Sequence, residues 1–171
     1  MRGTNRWVAL LAALLVVATA SCTNDTLDDG SSPGVYLEIR SFTNPPVTAQ
    51  TDQNTGLCAF TVVDWSVGMG NVPVNSTATT SPFNDIILDR VVITYQPSGT
   101  VRTVGLGGIS IRPGGTGSVN FQPVGFNDLG TLIPEASTTD LDLLFIGHTG
   151  EGEDVTLFTQ RQLFVESCTG P

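Results

Sequence analysis

The chain predicts an all-β fold, an antiparallel β-sandwich of about seven to eight strands, with a small β-barrel as the alternative closure. Three observations carry this. No stretch after residue 22 sustains the i, i+3, i+4, i+7 apolar spacing of an amphipathic helix. Val, Ile, Thr and Phe, which suit a pleated and half-buried surface, are abundant. Turn formers recur about every ten residues. The 19 glycines and 10 prolines stay below the share that marks low-complexity chains.

The first strand expected is Val35–Thr43, where Val35, Leu37 and Ile39 alternate with Glu38 and Arg40. Asn44-Pro45-Pro46 stops it. Residues 47–56 read as a polar loop. Leu57–Val67 is apolar on both faces and is expected as a central strand, with Trp65 in the core. Residues 68–85, small and polar, are expected as a long loop. Ile86–Tyr95 follows, with Val91, Ile93 and Tyr95 on one face. Gln96-Pro97-Ser98-Gly99 turns the chain, and Thr100–Leu106 returns as its hairpin partner. Ile109–Arg112 reads as a short separate strand. Ser118–Val124 is next, with Val119 and Phe121 inward. Residues 125–139 are irregular, with Leu129, Leu132 and Ile133 folded back onto the core. Asp140–Gly147 and Val155–Glu166 close the set, joined by the loop His148–Asp154. This cadence resembles an immunoglobulin-like sandwich in architecture only. No functional residue carries over from that likeness.

A leader precedes the strands. Arg2 and Arg6 begin it, and Trp7–Ala18 is an unbroken apolar run. The run holds about a dozen residues, short of the ~18–20 a membrane-spanning helix needs. Thr19, Ala20 and Ser21 are small, and Cys22 follows. The order is that of a cleaved secretory signal peptide.

Thr19-Ala20-Ser21-Cys22 resembles the lipobox of bacterial lipoproteins, with Thr19 where that family usually has Leu. The resemblance implies cleavage before Cys22 and a diacylglycerol on its thiol. It implies an exported protein, lipid-anchored at the bacterial cell envelope, on the outer membrane if the cell is Gram-negative. Ala18-Thr19-Ala20 offers an ordinary cleavage site instead, which would release a free secreted protein. Cysteine parity favours the first. With Cys22 lipidated, Cys58 and Cys168 remain and can pair as a disulfide in an oxidising compartment; otherwise one thiol is orphaned. The organisation expected is a signal peptide over 1–21, a flexible acidic tether over 22–34 and a β-sandwich over 35–171.

After cleavage, five arginines and no lysine face 16 acids, a net charge of −11. Such a surface repels phosphate backbones and anionic lipid heads, so no nucleic-acid partner is expected. The most suggestive cluster is Gly147–Asp154, with His148, Glu151, Glu153 and Asp154, which joins the chain's 1 histidine to three carboxylates and three glycines. It is the expected binding site, by contact with a partner or a hard cation, against the plainer reading of a solvated turn. Asp52–Gly56 opens like a calcium loop, but Leu57 and Val63 stand where Gly and Glu are required. Gly105-Leu106-Gly107-Gly108 lacks the third glycine and the helix of a dinucleotide fingerprint. Gly108-Ile109-Ser110-Ile111 is followed by Arg112, so this stretch is not a G-x-S-x-G elbow. Neither a catalytic set, a metal cage nor a cofactor is expected. The function expected is that of a membrane-tethered, non-catalytic structural or assembly component whose partner is another envelope protein or a glycan. An adhesion or ligand-binding module is the alternative, and a secreted hydrolase the remote one.

Overall fold

Alternation of apolar and polar side chains builds two facing sheets. The computed structural model describes residues 34–52, 55, 57–75, 81–125, 128–129 and 137–168. Cys22, most of the tether, Leu132 and Ile133 lie outside them. The strands are β1 Val35–Thr43, β2 Thr48–Thr51, β3 Cys58–Thr61, β4 Trp65–Pro73, β5 Ile86–Tyr95, β6 Thr100–Ile111, β7 Thr116–Phe121, β8 Ser137–Thr149 and β9 Asp154–Val165. A three-stranded sheet runs β1-β4-β7 and a four-stranded sheet β6-β5-β8-β9, every pair antiparallel. The sheets stack with β1 against β9 and β6 against β7. This is the antiparallel β-sandwich that the composition and turn spacing predict.

Between the sheets lies one continuous apolar core. Trp65, Val67 and Met69 of β4 are fully buried, as are Leu88, Val91 and Ile93 of β5 and Leu141, Leu143 and Phe145 of β8. Phe42, Trp65, Phe121 and Phe145 form an edge-to-face chain with centroid spacings of 5.6, 6.3 and 5.9 Å. It crosses from the three-stranded sheet to the four-stranded one. Each such contact adds about 0.5–1.5 kcal/mol beyond area burial. Trp65 Nε1 donates to the Pro45 carbonyl at 3.0 Å, so the indole is buried without an orphaned donor.

Nine strands occur among the described residues, not seven or eight. The apolar stretch Leu57–Val67 is not one central strand. It breaks at residues 62–64, and its first part, β3, pairs only with β2 in a separate ribbon. Cys58, Ala59 and Thr61 are exposed there. Apolarity on both faces misled because the two halves serve different sheets. Part of the expected 68–85 loop continues β4 to Pro73. Inward Val67, Met69 and Asn71 keep period two, while Gly68 and Gly70 on the other face hide the pattern by their weak strand preference.

The expected break between residues 106 and 109 is a bulge inside a single β6. Gly107 and Gly108 take φ of 77° and 70°, a left-handed conformation suited to glycine. The β5 register shifts opposite them, between Leu88 and Arg90. Ser118–Val124 is displaced to β7, which starts at Thr116 and ends at Phe121. The Gln96–Pro97 peptide bond in the β5–β6 turn is cis. Leu129 packs against the core as expected.

The ribbon is fastened to the edge of β9. Val47 N–H donates to Phe164 O at 2.9 Å, and Glu166 N–H donates to Val47 O at 3.0 Å. These bonds set Val47 parallel to Val165. Cys58 and Cys168 are joined in the expected disulfide, Cα atoms 5.8 Å apart. It ties β3 to the chain just beyond β9.

Candidate functional site

Period two sends one parity of β8 and β9 into the core and the other onto the open face of the four-stranded sheet. On β9 the outward set is Phe158, Gln160, Gln162 and Phe164, all exposed. On β8 it includes Asp140, Asp142 and Leu144. The register sets Leu144 beside Phe158, Asp142 beside Gln160, Asp140 beside Gln162 and Thr138 beside Phe164. The end of β5 brings Gln96, whose backbone N–H donates to Asp140 O at 2.9 Å.

Asp142 organises this face. Its Oδ2 accepts from Gln96 Nε2 at 2.7 Å and its Oδ1 from Gln160 Nε2 at 2.8 Å. Hydrogen bonds to an ionised acceptor are short and strong. They fix which way both amides point. Each amide keeps its Oε1 and a second N–H for another partner. Asp140 and Gln162 make no side-chain hydrogen bond among the described residues.

Beside this belt runs an open groove of about 560 Å³, lined by Asn44, Gln96, Asp140, Gln160, Arg161, Gln162 and Phe164. Arg161 is held in place. Its guanidinium carbon lies 4.7 Å from the Phe42 ring centroid, and Nη1 donates to Gln160 O at 2.8 Å. Phe158 and Phe164 expose 58% and 51% of their surface, large fractions for phenylalanines in the middle and at the end of a regular strand.

The sequence-predicted cluster is placed otherwise. His148 and Asp154 are not loop residues. They are cross-strand partners that close the β8–β9 ladder. The turn between them is tight: Thr149 N–H donates to Glu153 O and Gly152 N–H to Thr149 O, both at 2.8 Å. His148 Nδ1 lies 2.9 Å from Asp89 Oδ2 on β5, so its side-chain partner comes from another strand. Glu151 and Asp154 are exposed and Glu153 partly so. Among the described residues no three His, Cys, Asp or Glu side chains gather as a metal site. Trp65 lies in the core and offers no face to a ligand. Cys22 lies outside the described residues. Among those residues no helix is long and apolar enough to cross a membrane.

Sequence reading did not single out Gln96, Asp142, Gln160, Gln162, Phe158 or Phe164. For the four on β9 the signal in the chain is a polar and aromatic set on one parity, with Leu157, Leu163 and Val165 on the other. No protein-family model, curated protein or solved structure matches this chain.

Proposed function

We propose that this protein is a non-catalytic contact domain of the bacterial cell envelope, tethered through a lipid on Cys22, that acts by holding another macromolecule. The observation that carries the reading is the open face of the four-stranded sheet. An outer sheet face left only to solvent needs no ordered carboxylate clamp and no exposed phenylalanines. Here Asp142 orders Gln96 and Gln160 while Phe158 and Phe164 stand uncovered beside them. Rigid strands under the groove, and the staple from Cys58 to Cys168, present that face with little ordering cost on binding. The strand order β1-β4-β7 facing β6-β5-β8-β9 supports the immunoglobulin-like reading of the architecture. The net charge of −11 on the mature chain favours neutral or basic partners.

Site-specific photo-cross-linking in intact cells tests the reading. A benzophenone side chain at position 164 is expected to give high-mass adducts in the envelope fraction, and the same group at Phe83, exposed in the Pro82–Asn84 turn between β4 and β5 and outside the groove lining, is expected to give few. Equal yields at both positions, or none at either, would remove the sheet face from the account. Intact mass tests the tether: a mature chain starting at Cys22 with added lipid mass is expected, and one starting at Ser21 without lipid contradicts it.

A further inference from the structure

We propose that the groove beside β9 binds a neutral, polyhydroxylated ligand: an extended glycan chain. This rests on the outer sheet face being a contact surface, and adds the chemical class of what it holds.

The lining argues for that class. Three of the groove's side chains are glutamine amides, Gln96, Gln160 and Gln162, and a fourth is the amide of Asn44. An amide offers a donor and an acceptor side by side, as a sugar hydroxyl does. A lining made mostly of such groups pairs with neighbouring hydroxyls in either sense. One carboxylate, Asp140, adds a strong acceptor, and its side chain has no hydrogen-bond partner among the described residues.

Other ligand classes fit less well. A phosphate or sulfate group would need converging cations. Among the described residues Arg161 is the one cation lining the groove, and it already lies on Phe42 and donates to Gln160 O. A purely apolar ligand would leave the amides unpaired on burial, at a cost. A strongly basic peptide would meet one carboxylate among the described lining residues, Asp140; Asp142 keeps its charge but lies outside that lining, with both oxygens already accepting from the glutamines.

The aromatic rings supply the other half of sugar recognition. A sugar ring presents an apolar face of C–H groups, which packs on an aromatic ring. Phe164 stands in the groove, and Phe158 lies on the same side of β9, six residues away. At the rise of a strand that is about 20 Å. Two platforms at this spacing, with Gln160 and Gln162 between them, suit a chain of several sugar units lying along β9. The groove volume is within the usual range for small-molecule sites.

The test uses the full chain purified in detergent, run in native gels cast with soluble neutral polysaccharides: laminarin, dextran, mannan and hydroxyethylcellulose. A dextran sulfate gel reports charge-driven retention. At least one neutral polymer is expected to retard the protein. The double substitution Gln160→Ala with Gln162→Ala, and Phe164→Ala alone, should each weaken that retention at least fivefold. Thermal midpoints should stay level, because all three side chains are exposed. Phe158→Ala should weaken binding of the polymer more than binding of a short oligosaccharide cut from it. Retardation by no neutral polymer, by dextran sulfate alone, or unchanged in the variants would overturn the proposal. If position 164 still cross-links to a protein while no neutral polysaccharide retards the chain, the glycan class falls and the contact face stands.

Discussion

Cys58 and Cys168, 110 residues apart in sequence, are joined with their Cα atoms 5.8 Å apart. The bond closes nearly the whole sandwich into a loop and holds the β2–β3 ribbon against the end of β9. In the chain-entropy description a loop of that length contributes about 4–5 kcal/mol, by restricting the unfolded chain. Replacing both cysteines by serine is expected to lower the urea midpoint by a corresponding amount and leave the strand signal in circular dichroism intact. A midpoint within error of the wild type would place the bond outside the stability of the fold.

Tyr95 provides a pH-dependent prediction. Its hydroxyl donates to Pro123 O at 2.8 Å from a buried position at the end of β5. Burial pushes it up to about 12 from the ordinary 10.0; nearby Arg102 pulls the other way and Asp128 adds to the rise. The fold therefore favours the neutral phenol. Stability from this group is complete below the unfolded value near 10 and is lost as pH climbs through about 12. Tyr95→Phe should cost about 1–2 kcal/mol at neutral pH, because the Pro123 carbonyl loses its donor. The gap between variant and wild type in urea midpoint should shrink at about pH 11.5. A gap that stays constant would detach the alkaline loss from Tyr95.

Asn71 is fully buried on β4, and its Nδ2 donates to Asn84 O and Ile111 O, both at 2.8 Å. Its backbone also meets the β6–β7 turn, through Gly114 and Gly115. One side chain thus pins the Pro82–Asn84 turn and the end of β6 to β4. Asn71→Ala should destabilise by about 2–4 kcal/mol, because two carbonyls lose this donor and a small cavity opens. Asn71→Asp should be worse, because its acceptor oxygens would face two acceptors. Urea denaturation of the two variants gives the order, and Asp milder than Ala would refute the donor role.

Two β-sheet glycines should respond in opposite ways. A Cβ at Gly147 of β8 would run into the backbone carbonyl of Ile87 on β5, while one at Gly105 of β6 meets nothing within 4 Å. Gly147→Ala should cost roughly 2–3 kcal/mol as an overpacking change in a rigid sheet. Gly105→Ala should be neutral or gain up to about 0.5–1 kcal/mol by restricting the unfolded chain. Thermal midpoints of the pair check this, and equal losses would contradict the packing argument.

Much of the strand pattern was legible because side-chain alternation is local. Val35, Leu37 and Ile39 announce β1, and Val91, Ile93 and Tyr95 announce the inner face of β5. The pairing of Cys58 with Cys168 followed from parity in a chain read as exported. The β4 strand was less legible, because glycines interrupt its period, and the bulge at Gly107–Gly108 looked like a gap between two strands. The candidate face was not legible. The His148–Asp154 segment drew attention because its charges cluster in sequence, yet the ladder sets His148 opposite Asp154 and hands its side chain to Asp89.

Local sequence is enough for the β class, several of the turns and the inner parity of most strands, since each depends on residues within a few positions of one another. Which strands share a sheet, the division of the Leu57–Val67 stretch between two sheets, and the groove itself arise from long-range pairing in the folded chain. The reason is the distance spanned by its contacts. Gln96 reaches Asp142 across 46 residues, and Gln160 reaches the same carboxylate across 18. Sheet register brings these three side chains together by aligning backbones, and the residues between them carry no local mark of that alignment.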